Sequence, residues 1–250
     1  MWVLNPEYAA GPSGSAFASL DAVFALEGEQ ITCDRLSEVL RVRVGARNYY
    51  VKRYGIAGKG LRRLIGRPRI QGEWRNLLYF RAWGLPTATV VGHGMEYRGG
   101  LFQRGAMITE ELPGTTDLAQ MVANQDPRLQ DWHWVNHVLQ QVALAAREMH
   151  KRGFTHNDLK WRNILVDNQP LSNIHLIDCP GGTFWWGPFL AYRKLKDLAC
   201  LDRLGKRQLS RTQRLRFYLV YTGQARLEKQ DRKHVRKIVW YYKGREVRKR

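Results

Sequence analysis

The chain has 250 residues, 44% of them apolar and 25% charged, a balance that suits a soluble globular protein and excludes a disordered tail. With 41 Lys and Arg against 22 Asp and Glu, the formal charge is +19. That charge attracts polyanions of any kind (nucleic acid, an anionic membrane face, a phosphorylated glycolipid) and names none of them.

No run approaches the ~18 uncharged apolar residues of a transmembrane helix. The opening MWVLNPEYAAGPSGS lacks the basic and apolar regions of a secretory signal, so a cytosolic protein is expected. Residues 1–18, small and rich in Gly, Ala and Ser, read as a loose arm. SEVLRVRVGARNYYVKRYG then alternates on both sides of Gly45-Ala46-Arg47-Asn48, the pattern of two strands joined by a short turn. Val39, Arg41 and Arg43 share one predicted face, with Leu40, Val42 and Val44 on the other.

Residues 55–72 are basic and broken by Gly and Pro, as in a mobile connector. QGEWRNLLYFRAWG predicts a helix stopped by Gly84, followed by short strands near 88–92 and 101–109. GTTDLAQMVA and WHWVNHVLQQVALAAREMHKRG have helical spacing. In the second, Val135, Val138, Leu139, Val142, Leu144, Ala145 and Met149 form an apolar stripe that Gly153 ends. Past Leu195 the chain reads as helical to its end, where the stretch 205–250 carries 16 Lys and Arg against Glu228, Asp231 and Glu246. Strands with one helix, a linker at 111–116 and then helices make an α+β arrangement of two lobes. The division expected is an arm at 1–18, an N-lobe at 19–112 and a helical C-lobe at 113–250 with a basic C-terminal region. Cys33, Cys179 and Cys200 fall in no metal-binding spacing and read as separate reduced thiols.

The chemistry concentrates in FTHNDLKWRNILVD, where His156, Asp158, Lys160 and Asn163 precede an apolar ILV. Polar groups held on a short strand after a long helix form a loop pinned at both ends. Fifteen residues past Asn163, HLIDCPGG ends a strand-like stretch on Asp178. Two carboxylates and an amide at the ends of short strands suit a Mg²⁺–nucleotide site, because Mg²⁺ takes hard oxygen ligands and lets phosphates and waters complete its shell.

His156-x-Asp158-Leu159-Lys160-x-x-Asn163 resembles the catalytic loop of the protein-kinase-like superfamily, H-R-D-L-x-x-x-N, and Asp178-Cys179-Pro180 resembles its D-F-G. YYVKRY puts Lys52 where V-A-I-K carries its lysine, and Glu73 opens the next helix where the partner glutamate belongs. Within the superfamily the chain is similar to the lipopolysaccharide core kinases of the Kdo/WaaP type over residues 30–225, through EWRNLLYFRAWGLPTATVVGHG, HNDLKWRNILVD, KDLACLDR and RTQRLRFYLVYTG. The resemblance implies a protein-kinase-like fold with a small β-rich N-lobe and a larger helical C-lobe. It implies ATP-dependent phosphorylation of an inner-core heptose or Kdo, with Mg²⁺, by a protein peripheral at the cytoplasmic face of the inner membrane. Asp158 would accept the hydroxyl proton and Lys160 would offset phosphoryl charge. Lys52, held by Glu73, would bind the phosphates, and Asn163 and Asp178 the metal. His156 and Asp197 would support the loop.

The departures from the pattern also count. No G-x-G-x-x-G lies about 20 residues before Lys52, and LEGEQITCDR offers only Gly28. Asn157 replaces the Arg that pairs with a phosphorylated activation loop, so no such switch is expected. Only 18 residues separate Asp178 from Asp197, without A-P-E, which favours a sugar over a protein acceptor. Trp185, Trp186, Phe189 and Tyr192 in that stretch read either as lower-lobe core or as a surface for sugar rings or lipid. A pseudokinase adaptor, or a kinase of a protein or another small molecule, is the competing function; nucleic-acid binding has no module to carry it.

Overall fold

The computed structural model describes residues 1–58 and 67–243, which divide into two compact units. The first comprises Met1–Pro113 and Asp178–Pro180. Its elements are β1 (Trp2–Leu4), α1 (Pro12–Ala16), α2 (Leu20–Ala25), β2 (Glu29–Cys33), β3 (Ser37–Val44), β4 (Arg47–Tyr54), α3 (Arg69–Ala82), β5 (Val90–Arg98) and β6 (Leu101–Glu110). Among the described residues the strands make one antiparallel six-stranded sheet in the order β1-β5-β6-β4-β3-β2. Gly45 turns β3 into β4 at φ 61°, a left-handed backbone that costs glycine little. The register pairs Val39 with Lys52 and Lys52 with Met107, so these three side chains share a face.

The opposite face carries Leu40, Val42, Val51, Ala106 and Ile108, and it is covered by the N-terminal segment. Tyr8, Phe17, Leu20 and Val23 are buried against it. Here the structure differs from the loose arm expected at 1–18. Trp2–Leu4 pairs with β5, the Trp2 indole donates to the Phe17 carbonyl at 2.8 Å, and Phe17 is fully buried. An apolar sheet face needs a cover, and this segment supplies it. The connector expected at 55–72 lies partly outside the described residues, at 59–66, and its last four residues form the first turn of α3.

The second unit comprises Gly114–Ile177 and Gly181–Arg250. It contains β7 (Thr116–Asp117), α4 (Leu118–Ala123), α5 (Trp132–Lys151), β8 (Phe154–Thr155), β9 (Ile164–Val166), β10 (Ile174–Leu176), β11 (Thr183–Phe184), α6 (Gly187–Gln208), α7 (Arg211–Thr222) and α8 (Lys229–Trp240). Asp131 caps α5 by accepting the His133 and Trp134 N–H groups. Val135, Val138, Val142, Ala145 and Met149 of the expected stripe are buried, whereas Leu144 is exposed. Ser210 and Gln213 form a reciprocal capping box at the start of α7. Leu198, Ala199, Tyr218 and Ile238 bind α6, α7 and α8 into one core.

The core reading of the aromatic stretch does not hold. Trp186 is 77% exposed, Phe189 66% and Tyr192 49%, while Trp185 lies half-buried under the Arg193 guanidinium, 4.6 Å away. The helix α6 begins at Gly187, upstream of the expected start near 195, and its first turns carry these rings outward. The end of the basic tail, 244–250, lies outside the described residues.

Candidate active site

In the first unit Lys52 stands in the middle of β4 with its ammonium 2.7 Å from Glu73 Oε1 and 3.1 Å from Asp178 Oδ1. Glu73 lies on the buried side of α3, where the Tyr54 hydroxyl also donates to its second oxygen at 3.2 Å. Burial opposes a charge on Lys52, but Glu73, Tyr54 and Asp178 outweigh it and hold the ammonium above the ordinary lysine range. Burial pushes the Glu73 carboxyl up against the pull of Lys52. The Tyr54 phenol is pushed up to about 12, by burial first and then by the Glu73 charge.

The segment bearing Asp178 is fixed to α3. Asn76 donates to the Cys179 carbonyl at 2.6 Å. A side chain at Gly72 would stand 2.5 Å from the Pro180 carbonyl, so the helix approaches this closely only through glycine. Asp178 itself has φ 54°, a left-handed backbone that Asp adopts at modest cost.

In the second unit the loop after α5 holds the other candidates. Asp158 Oδ1 lies 2.5 Å from the Lys160 ammonium, and Oδ2 is 3.5 Å from Arg162. Burial would raise the Asp158 carboxyl. The Lys160 hydrogen bond and charge, then Arg162 and His156, reverse this and hold it below the usual carboxylate range. Buried Asn163 donates its amide nitrogen to the Asp158 carbonyl at 2.8 Å, which leaves its amide oxygen for another partner. Its own carbonyl accepts the Ile177 N–H, the last residue before Asp178.

The loop is pinned from below. Asp197, fully buried in α6, accepts the His156 backbone N–H at 2.7 Å and faces His150 Nε2 at 3.3 Å. His150 Nδ1 is in turn 2.9 Å from the Tyr221 hydroxyl. Burial, then the Asp197 charge, raises the Tyr221 phenol, so it stays protonated and donates to Nδ1, leaving Nε2–H for Asp197. Trp161 donates to the Leu201 carbonyl at 3.0 Å. Asn157, with φ 64°, donates to the Gly181 carbonyl at 2.7 Å and accepts the Lys196 ammonium on its own carbonyl. This gives the residue in the Arg position a purely local bonding role.

The sequence-predicted residues thus fall into two sets: Lys52, Glu73 and Asp178 in the first unit, and His156, Asp158, Lys160, Asn163 and Asp197 in the second. His150, Tyr221, Tyr54 and Asn76 were not anticipated. Their partners lie 19 to 103 residues away in sequence, beyond any local pattern.

Comparison with known proteins agrees with this geometry. No curated protein sequence matches the chain. The solved structure described as WaaP in complex with acyl carrier protein matches with a TM-score of 0.77 at 22% identity, covering 99% of this chain and 98% of that one. The fold is therefore the α+β protein-kinase-like fold of that structure. The family profile described as lipopolysaccharide kinase (Kdo/WaaP) matches residues 20–221, and the chain belongs to that family.

Proposed function

We propose that the chain is a Mg·ATP-dependent kinase that phosphorylates a heptose or Kdo sugar of the lipopolysaccharide inner core. The observation that carries this reading is the double ion pair at Lys52, a cation presented between Glu73 and Asp178. A cation held at a fixed point by one buried and one partly exposed carboxylate suits binding of the α- and β-phosphates.

Asp158 orients the acceptor hydroxyl. Its carboxyl is far too weak a base to ionise an alcohol beforehand, so it takes the proton late, as the new sugar O–P bond forms and the bond to the β-phosphate oxygen breaks. ADP leaves with that oxygen. Lys160 offsets charge on the transferring group. Among the described residues no group of three or more His, Cys, Asp and Glu side chains forms a metal site. The Asp178 carboxylate in the first unit and the Asn163 amide oxygen in the second are each a hard oxygen donor of the kind that Mg²⁺ takes, an ion that uses few protein ligands and takes substrate phosphates for the rest. When bound, Mg²⁺ would supply positive charge that offsets the charge of the phosphates. Asp197, through the His156 N–H, keeps the Asp158 loop in its observed conformation.

The anionic glycolipid acceptor also accounts for the charge of +19. No described helix is long and apolar enough to cross a membrane. The exposed basic face of α8 and the exposed rings of α6 support peripheral contact with the anionic cytoplasmic face of the inner membrane.

The decisive experiment incubates purified, underphosphorylated lipopolysaccharide core with Mg·ATP and reads its mass, with Asp158→Ala alongside. A gain of one phosphate that disappears in the variant is expected, and fragmentation then identifies the sugar. No gain with intact nucleotide binding points to another acceptor. No gain and no nucleotide binding turns the reading to a pseudokinase adaptor.

A further inference from the structure

In the second unit the surroundings of the Asp158 loop are biased in charge. Lys160 and Arg162 lie on the Asp158 carboxylate, Arg193 on the Asn157 side chain and Lys196 on the Asn157 carbonyl. The carboxylates bonded to this loop among the described residues are Asp158 itself and Asp197. Asp197 is fully buried, whereas the Asp158 side chain is 35% exposed. A molecule that brings a hydroxyl to Asp158 thus enters a field dominated by cations, which favours an anion.

The cations differ in how far they are already engaged. Lys160 is paired with Asp158 at 2.5 Å, Arg162 reaches its other oxygen at 3.5 Å, and Lys196 donates to Asn157 at 2.9 Å. Arg193, one turn before Lys196 on α6, pairs with no carboxylate among the described residues. Its hydrogen bonding there amounts to one contact of 3.5 Å with Asn157 Oδ1. A guanidinium carries five N–H donors, so at least four lack a partner.

The group is nevertheless held in place. It lies over the Trp185 ring, 4.6 Å from the centroid. Trp185 is itself tied by its backbone N–H to the Gly153 carbonyl at 2.8 Å, and Asn157 by its amide to the Gly181 carbonyl at 2.7 Å. Arg193 is half-buried, so it has lost part of its hydration without gaining a carboxylate, and an anion would restore that loss. A planar guanidinium fixed by stacking is preorganised for two-pronged capture of a carboxylate or phosphate, with little side-chain entropy left to lose.

We propose that Arg193, stacked on Trp185 beside Asn157, binds an anionic group of the acceptor, a carboxylate or a phosphate, while Asp158 receives the acceptor hydroxyl. The proposal rests on the kinase reading and names the chemistry that the acceptor must carry. Asn157 and Asp158 are chain neighbours, so covalent reach keeps the Arg193 guanidinium within about 15 Å of the Asp158 carboxylate. A short run of sugar residues spans that distance. An unsubstituted heptose is neutral and would leave Arg193 unpaired. The anion is then either the carboxylate of a Kdo or a phosphate already on the core.

The test measures phosphate transfer from Mg·ATP by the wild type, Arg193→Ala and Arg193→Lys. Three acceptors are compared: lipopolysaccharide core as purified, the same core stripped of phosphate with hydrogen fluoride, and the same core with its carboxylates reduced to alcohols. Loss of a charge-assisted pair should raise the KM for untreated core about tenfold or more in Arg193→Ala. Its kcat and its KM for ATP should stay close to the wild type. Arg193→Lys keeps the charge without the fork and should fall between the two. The wild type should show the same rise on whichever treated core lacks the recognised group, and Arg193→Ala should lose nothing further there. A rise on stripped core assigns a phosphate, and a rise on reduced core a carboxylate. The proposal is overturned if Arg193→Ala is impaired as much on both treated cores as on the untreated one, which would assign the guanidinium to bracing Asn157. It is equally overturned if kcat falls while the KM for core is unchanged. A wild type that transfers phosphate to none of the cores removes the kinase reading and this inference with it. A wild type that phosphorylates the core, with Arg193→Ala indistinguishable from it, removes only this inference.

Discussion

Asp158 has two cations within reach, and their distances rank them. Lys160 sits 2.5 Å from one oxygen, while Arg162 is 3.5 Å from the other with its side chain 61% exposed. Burial raises this carboxyl, and Lys160 is the main reason that it nevertheless falls below the ordinary range. A depressed carboxyl is ionised across the neutral range and loses its charge only as the pH falls through the depressed value. Removing Lys160 lets the burial effect act, so the carboxyl moves up. In Lys160→Met the acid limb of the rate–pH profile should therefore move to higher pH, and the rate at neutral pH should fall by about 10²-fold as phosphoryl charge loses its partner. Arg162→Ala should leave the limb nearly in place. An acid limb unmoved in Lys160→Met would show that Lys160 does not set the ionisation of Asp158. Asp158, Lys160 and Asn163 were legible in the sequence because they lie within six residues on one loop. Lys52, Glu73 and Asp178 are 21 and 126 residues apart where they touch, so only the resemblance joined them. His150 and Tyr221 had no such guide. A histidine at the end of an amphipathic helix and a tyrosine in another look like ordinary core until the fold places Asp197 beside them.

Elements show the same divide between local and distant causes. The β3–β4 hairpin and α5 were legible because eight alternating residues per strand and a 20-residue stripe state their periods several times over. The N-terminal segment was not. Its strand and two helices have three, five and six residues, too short to display a period, and its small residues look like those of a linker. Its order comes from the sheet beneath it: Phe17 is fully buried, with its ring 5.0 Å from that of Tyr49. Phe17→Ala should thus cost about 3–5 kcal/mol of stability, the usual range for a buried phenylalanine. Denaturant unfolding would measure it. Because Phe17 packs on the face opposite Lys52, the folded variant should bind Mg·ATP as the wild type does. A cost under about 1 kcal/mol would remove the segment from the core.

At the scale of the whole molecule, charge and exposed aromatic surface occur together. One side of α8 is buried through Asp231 and Ile238, and the other exposes Lys229, Arg232, Lys233, Arg236, Lys237 and Trp240. The Lys243 ammonium lies 4.2 Å from the Trp240 ring. Tyr241, just past the helix, shares a 2.9 Å hydroxyl contact with Tyr192 of α6, whose exposed neighbours are Trp186 and Phe189. Basic side chains beside exposed rings suit the boundary of an anionic bilayer, where each Lys or Arg near the surface contributes about 1 kcal/mol and rings enter the headgroup layer. The two contributions separate by salt, because only the charge is screened. Co-sedimentation with phosphatidylglycerol vesicles should be strong at low salt, weaken steeply as salt rises, and be slight on phosphatidylcholine. Arg232→Glu with Arg236→Glu should remove most of the salt-sensitive part. Trp186→Ser with Phe189→Ser should lower binding at every salt concentration while leaving the slope unchanged. Equal binding to neutral vesicles would sink the charge argument, and a doubly reversed α8 that binds undiminished would remove this helix from the contact.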